Sequence, residues 1–209
     1  MKIPKNFLAK LYILYLYKRY EFTGMISLAF NRMVFGRMLK VGKQPKIWGS
    51  LVLKIVGNGA IIFGDHVHLV SETKRSFITL FSKIQLTAYG AGIISIGDRV
   101  ALNGTVITSK KSISIGSGTM VAPNVIIVDS DFHQTWPPET RFISDTSAFD
   151  KEVKIGCNVW IGMNTLVLKG SDIGDNSIIG AGSTVTGVIP PNCIAAGNPA
   201  IPIKYFTQQ

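Results

Sequence analysis

Between Ile155 and Val185 an aliphatic residue returns every six positions: Ile155, Ile161, Val167, Ile173, Ile179 and Val185. Gly follows four of them, at Gly156, Gly162, Gly174 and Gly180, with Leu168 and Thr186 after the other two. Three residues after the first five stand Asn158, Asn164, Gly170, Asn176 and Gly182, the types that best tolerate a left-handed backbone. A helix repeats at about 3.6 residues and a strand at about 2, so neither gives this period. Short strands joined three to a coil of about 18 residues do give it. The pattern predicts an all-β solenoid.

Weaker copies of the pattern precede this stretch. They occur at Val56-Gly57-Asn58-Gly59, Phe63-Gly64-Asp65, Ile96-Gly97-Asp98, Leu102, Ile115-Gly116-Ser117, Val121 and Ile127. The β pattern becomes readable near Ile47, and residues 70–90 read as an imperfect coil. The phase stops at Ile127 and resumes only at Ile155, more than four steps of the repeat later where one step would do, so a long loop is inserted between them. Past Val185 the pattern frays at Ile189-Pro190-Pro191. Ahead of the solenoid, residues 6–20 read as one helix and residues 22–40 as a second. The predicted division is a helical segment over 1–46, a solenoid over 47–204 with an inserted loop at 129–154, and a tail at 205–209.

Charge sharpens that division. Residues 1–46 hold ten Lys or Arg and one acid, Glu21, whereas residues 47–209 hold twelve Lys or Arg and eleven acids. The basic character therefore belongs to the N-terminal segment. Its apolar and aromatic run over residues 11–17 is too short to span a bilayer, which takes about 20 residues. Two readings stand for it: helices lying on an anionic membrane surface, or a helical cap or oligomer contact at one end of the solenoid. Nucleic acid is disfavoured, because the basic residues alternate with long apolar runs. The spacing from Cys157 to Cys193 equals two regular coils. An unbroken register would put them on one face roughly 9 to 10 Å apart, beyond the reach of a disulfide. Free thiols and no cleavable signal predict a cytosolic protein, at the inner face of the membrane under the first reading.

Four blocks in order, IGSGTMVAPNV, DSDFH, VKIGCNVWIGMNTLVLKGSDIGDNSIIGAGSTVT and IPPNCIAAGNPA, carry a resemblance to the hexapeptide-repeat acyltransferases. The likeness is to the sugar O-acetyltransferase group that includes galactoside, maltose and streptogramin acetyltransferases. It covers residues 96–204. It implies a left-handed parallel β-helix, a homotrimer, and acetyl-CoA bound in grooves between subunits.

Acyl transfer to a hydroxyl needs a base, and His has the pKa for it. His133 lies in the inserted loop near Asp129 and Asp131, within the DSDFH block that matches the family, which makes it the expected general base. His66 and His68 alternate on an early coil and are expected on one side of a strand. By resemblance, Asn103 contacts the acceptor near the oxyanion. Asp131 or Asp129 orients the imidazole or caps a turn. Trp136 offers a face to a sugar ring or anchors the loop. The resemblance places coenzyme A along Met163, Ala181, Thr186 and Gly187, with Lys204 near the nucleotide phosphates. Two departures stand out: the family usually carries a basic residue at the position of Gly187, and often another at that of Ile201. Met163 is also bulkier than the usual Ser or Ala.

The leading expectation is an acetyl-CoA-dependent O-acetyltransferase of a surface polysaccharide or its precursor. Its rivals are an acetyltransferase of a free sugar, nucleotide-sugar or antibiotic, a γ-type carbonic anhydrase, and a non-enzymatic scaffold. The carbonic anhydrase needs three His ligands to zinc, and His66, His68 and His133 are not placed for that. No cluster of His, Cys and carboxylate has ligand spacing, so no metal is expected.

Overall fold

The computed structural model describes residues 5–76 and 78–206. Residues 207–209 of the expected tail, and Lys2 of the basic set, lie outside them. Three sheets form the walls of a triangular prism, and each coil places one strand in each wall. The first sheet runs from Leu39–Val41 through Ala60–Phe63, Ile93–Ile96, Ser112–Ile115, Val153–Ile155 and Asp172–Ile173 to Val188–Ile189. The second runs from Lys46–Trp48 through His68–Val70, Ala101–Asn103, Met120–Val121, Trp160–Ile161 and Ile178–Ile179 to Cys193–Gly197. The third holds Val52–Gly57, Gln85–Gly90, Val106–Ser109, Ile126–Val128, Leu166–Val167 and Thr184–Val185. Pairing within these ladders is parallel throughout; Ala200–Tyr205 then folds back antiparallel on Cys193–Gly197.

The six-residue period is the step from wall to wall. Ile155, Ile161 and Val167 pair in register with Ile173, Ile179 and Val185 one coil later. All six are at most 3% exposed. The Asn residues of the repeat turn the corners: Asn158, Asn164 and Asn176 have φ of 55°, 57° and 59°. Asn158 Nδ2 donates to Asn176 Oδ1 at 3.3 Å, and Asn176 Nδ2 donates to Asn192 Oδ1 at 2.9 Å. His66 occupies a corner of this kind, with φ 57°. It is therefore not on a strand beside His68, as the sequence had suggested.

Coil length varies, and the variations matter. Ile155 pairs with Ile173, a regular step, but Ile173 pairs with Ile189 and Ile179 with Ala195, so the last coil is shorter by two. This slips the two cysteines out of line. Cys157 is exposed at a corner, its N–H donating to Asp175, while Cys193 is buried beside Ser177. Two coils are long. Leu69 pairs with Leu102, and Ile115 with Ile155, so each runs to nearly twice the regular length or more. The excess forms two loops. Residues 71–84 leave the prism at the edge between the second and third sheets. Residues 129–152 leave it at the edge between the third and first.

The N-terminal segment is one helix, α1, over Lys5–Phe35, not two. No proline interrupts it. Gly36, with φ 50°, ends it in the left-handed conformation that closes many helices. The first strand follows at Leu39, ahead of Ile47. Tyr20, Gly24, Leu28 and Asn31 form the buried stripe of α1 against the first coil. Ser27 Oγ accepts from the Leu51 N–H at 3.0 Å, and the Tyr20 carbonyl accepts from the Gly49 N–H at 3.0 Å. Gly24 permits this approach, because a Cβ there would overlap the Ile47 carbonyl oxygen. Gly24→Ala should gain about 1 kcal/mol of helix propensity but lose more, since overpacking against fixed backbone costs roughly 1–3 kcal/mol. A lower melting temperature in a thermal scan is expected; an unchanged or higher one would mean α1 is not held against the coil in this way.

Candidate functional site

The long loops place the candidate residues on two different edges of the prism. At the edge between the second and third sheets, Asn103, Ala122, Gly162 and Gly180 stack as equivalent residues of successive coils. Small residues here leave a groove of ≈ 350 Å³, walled by Trp160, Ile178, Met163 and Ala181. Gly162 is required for that floor: a Cβ would stand 2.5 Å from the Ala181 nitrogen. The loop 71–84 closes one end. Ile78 and Pro123 line both this groove and a second cleft of ≈ 260 Å³, which also holds Val70, Arg75, Ser76 and Asn103. Asn124, in a left-handed corner (φ 64°), braces the loop: its Oδ1 accepts from Phe81 N–H at 2.8 Å and its Nδ2 donates to the Thr79 carbonyl at 3.1 Å.

At the edge between the third and first sheets stands the loop with His133. Asp129 anchors its start. Its carboxylate is fully buried and accepts from Ser109 Oγ at 2.6 Å, Lys110 N–H at 2.7 Å and Lys111 N–H at 2.9 Å. It caps the corner, and among the described residues no hydrogen bond links it to His133. Three lysines hold the rest of the loop down. Lys110 Nζ donates to the Ser144 carbonyl and Thr146 Oγ1, Lys111 Nζ to the Asp150 carbonyl, and Lys169 Nζ to Asp131 and the Phe149 carbonyl. Asp131 is thus bound to Lys169. Among the described residues, no hydrogen bond links it to His133. Phe132, immediately before His133, has φ 64°. A bulky residue in that region is strained, and such strain gathers at functional sites. Its N–H donates to Ser130 Oγ at 2.9 Å, which fixes the bend. His133 itself is exposed, as are Trp136 and Phe142.

The expected cofactor contacts divide the same way. Met163 and Ala181 line the groove. Thr186 and Gly187 turn from the third sheet to the first, on the edge that carries the His133 loop. Lys204 pairs with Ile194, which pairs with Ile178 of the groove wall, so it lies two strands from the groove on the outer face of the second sheet. One chain therefore unites Asn103, Met163 and Ala181, and separately His133, Thr186 and Gly187. A six-residue side spans at most about 20 Å, and the lysine contacts keep the His133 loop on its own edge. Sequence reading missed Arg75, Ile78 and Asn124 as lining or bracing residues. The signal for Arg75 and Ile78 was the loss of the period over residues 70–90; Asn124 sits inside the regular repeat, which hid it. His68 packs edge-on to Trp48. Burial, then the charges of Lys46 and His66, hold its imidazole below the ordinary value. Among the described residues no group of three or more His, Cys, Asp or Glu is placed to hold a metal ion.

Comparison with known proteins agrees with this fold. Residues 152–187 match the family described as bacterial transferase hexapeptide (six repeats). The chain is 32% identical to the Escherichia coli (strain K12) protein named "Putative lipopolysaccharide biosynthesis O-acetyl transferase WbbJ", over 94% of this chain and 96% of that one. Among solved structures, the polysialic acid O-acetyltransferase OatWY superposes with a TM-score of 0.63 at 24% identity, covering 82% of this chain and 77% of its own. A galactoside acetyltransferase in complex with coenzyme A superposes with a TM-score of 0.51 at 23% identity, covering 98% and 84%.

Proposed function

This chain belongs to the hexapeptide-repeat acyltransferases, with their left-handed parallel β-helix, and we propose that it transfers an acetyl group from acetyl-CoA to a hydroxyl of a surface polysaccharide or its precursor. The observation that carries this reading is the apolar, glycine-floored groove ending at Asn103. The acceptor class follows from the near full-length likeness to a protein named for lipopolysaccharide biosynthesis.

In the proposed reaction the pantetheine arm lies in the groove along Met163 and Ala181, where small residues admit it. Gly187 and Ile201 offer no charge to the nucleotide phosphates, which leaves Lys204 as the expected partner. The acceptor oxygen attacks the thioester carbonyl as His133 takes its proton. The C–O bond forms, the C–S bond breaks, and the proton passes from His133 to the departing sulfur. Asn103 contacts the acceptor where the oxyanion develops. Asp131, held by Lys169, fixes the backbone two residues before His133 and acts on it only through the loop. Trp136, exposed on the same loop, is the proposed sugar platform. His133→Ala should lower kcat about a hundredfold or more while the Kd for coenzyme A holds. Turnover near the wild-type rate would remove His133 from the role.

The two half-sites lie on different edges, so a complete site requires a second copy of the chain. The outer rows of the walls favour this. The second sheet presents Ala101, Met120, Trp160 and Ile178, and the third presents Val106, Ile126 and Leu166. Over the same middle coils the first sheet presents Ser95, Ser114, Lys154 and Asp172, with Ile62 and Val188 at the two ends of that row. Two walls that are apolar over their middle coils, and one that is polar there, suit a closed three-fold assembly with the apolar stretches inside. Light scattering at micromolar concentration should give a trimer. An active monomer would overturn a shared site.

The N-terminal half of α1 has its own role in this reading, as a contact with an anionic membrane. Leu11, Ile13, Leu14 and Tyr15 are exposed, whereas Leu16 is half-buried. Lys10, Lys18, Arg19 and Arg32 stand on the same helix, with Glu21 its one acid, paired to Lys18. No helix of the described residues is long and apolar enough to cross a membrane. Each basic residue at an anionic surface contributes about 1 kcal/mol. Flotation with anionic vesicles should therefore weaken as salt rises, and removal of residues 1–16 should abolish it without unfolding the solenoid. Salt-independent absence of binding would leave α1 as a cap alone.

A further inference from the structure

We propose that the cleft beside Asn103 is an anion subsite, in which Arg75 receives a carboxylate or phosphate carried by the acceptor; the acceptor's identity as a saccharide rests on the acetyl-transfer reading above. Arg75 lies in a 3₁₀ turn, Thr73–Arg75, of the loop at the groove's end. Its guanidinium carbon sits 4.3 Å from the centroid of the Tyr17 ring and 4.8 Å from that of Trp48. One ring comes from α1 and the other from the first coil. Both contribute π faces, which attract the cation but accept no in-plane hydrogen bond.

The edge of the guanidinium is what remains to be explained. Arg carries five N–H donors in a rigid fork. The Nε of Arg75 is buried and has no hydrogen-bond partner among the described residues. A buried donor left so is costly and calls for a partner. No carboxylate of the described residues forms an ion pair with Arg75. The nearest acid in sequence, Glu72, caps its own turn instead: its Oε1 accepts from the Lys74 N–H at 3.4 Å. A clamp that only fastened α1 to the coil would need the cation's faces and not its edge. A planar oxyanion supplies what the edge lacks, because Arg and carboxylate or phosphate meet in matched pairs of hydrogen bonds.

The surroundings fit a ligand. Arg75 and Asn103 line one cleft of ≈ 260 Å³ with Ser76, and Pro123 and Ile78 join it to the longer groove. Ser76 Oγ accepts from Ile78 N–H at 3.3 Å, which leaves its hydroxyl proton free to donate. An anionic group on Arg75 would thus seat the acceptor within reach of Asn103 at the end of the groove. The anion has two possible sources: an acidic sugar within the glycan, or the phosphate that joins a sugar to its carrier.

The test is ligand-observed NMR titration with glucuronate, glucose 1-phosphate and glucose, on wild type, Arg75→Gln and Arg75→Lys. At least one of the two anions should bind wild type, with glucose bound far more weakly. Arg75→Gln should weaken that anion about tenfold or more, and Arg75→Lys should restore part of the loss. Preference for glucuronate assigns the carboxylate source, and preference for glucose 1-phosphate the phosphate. A thermal scan and coenzyme A binding serve as controls: a clamp alone would lower the melting temperature and leave no anion preference to lose. Equal binding of all three sugars to wild type, or undiminished anion binding by Arg75→Gln, would overturn the subsite. None of these readings depends on turnover, so a failure of acetyl transfer would be seen separately.

Discussion

Every other feature of the chain depends on the stacking of one inward aliphatic column on the next. Each wall of the prism repeats the same residue class at the strand spacing of about 4.8 Å. The backbone ladders hold the stack in register. A slip of one residue would turn a whole strand's apolar side outward, so the register cannot shift inside a wall. Only the corners can absorb extra or missing residues. That is why the long coils open at Ser71 and Asp129, and why the shortened coil loses its two residues between Val185 and Val188. Chemistry is confined to the corners for the same reason.

The corners differ in what they can bind. One edge is built from Ala122, Gly162 and Gly180, where backbone lies open to a flexible apolar chain. The other is built from a buried carboxylate, Asp129, and the lysines that tie the inserted loop to it. The first edge suits a thioester arm, and the second fixes a strained bend at Phe132 that presents His133 outward. In the proposed reaction neither edge suffices alone. The apolar outer rows of the second and third walls give the chain a reason to associate, and association is what would bring unlike edges together.

Helix α1 carries two different surfaces in one element. Its buried stripe, from Tyr20 to Asn31, covers the first coil, while its earlier turns project apolar side chains and basic charge. Tyr17 sits between these halves and touches Arg75 at the end of the groove. The helix is thereby legible as two segments, one packed on the first coil and one exposed.

By itself the sequence determined the solenoid, the phase of its walls and the site of the inserted loop, because a six-residue period has one structural solution and its interruption at Ile127 can be counted. It also marked His133, since a lone histidine in the loop that breaks a repeat stands out. It did not determine how many helices precede the solenoid: residues 6–40 lack proline, and only the docking of Gly24 against Ile47 shows why one helix runs through. Nor could it decide the alignment of Cys157 and Cys193, which a two-residue deletion in the last coil undoes. Tertiary structure alone decided that Asp131 belongs to Lys169, that Asn103 and His133 stand on separate edges, and that Arg75 reaches Asn103's cleft between Tyr17 and Trp48. Those relations join residues far apart in the chain, and no local pattern encodes them. They arise from which corners the stacked coils bring level with one another.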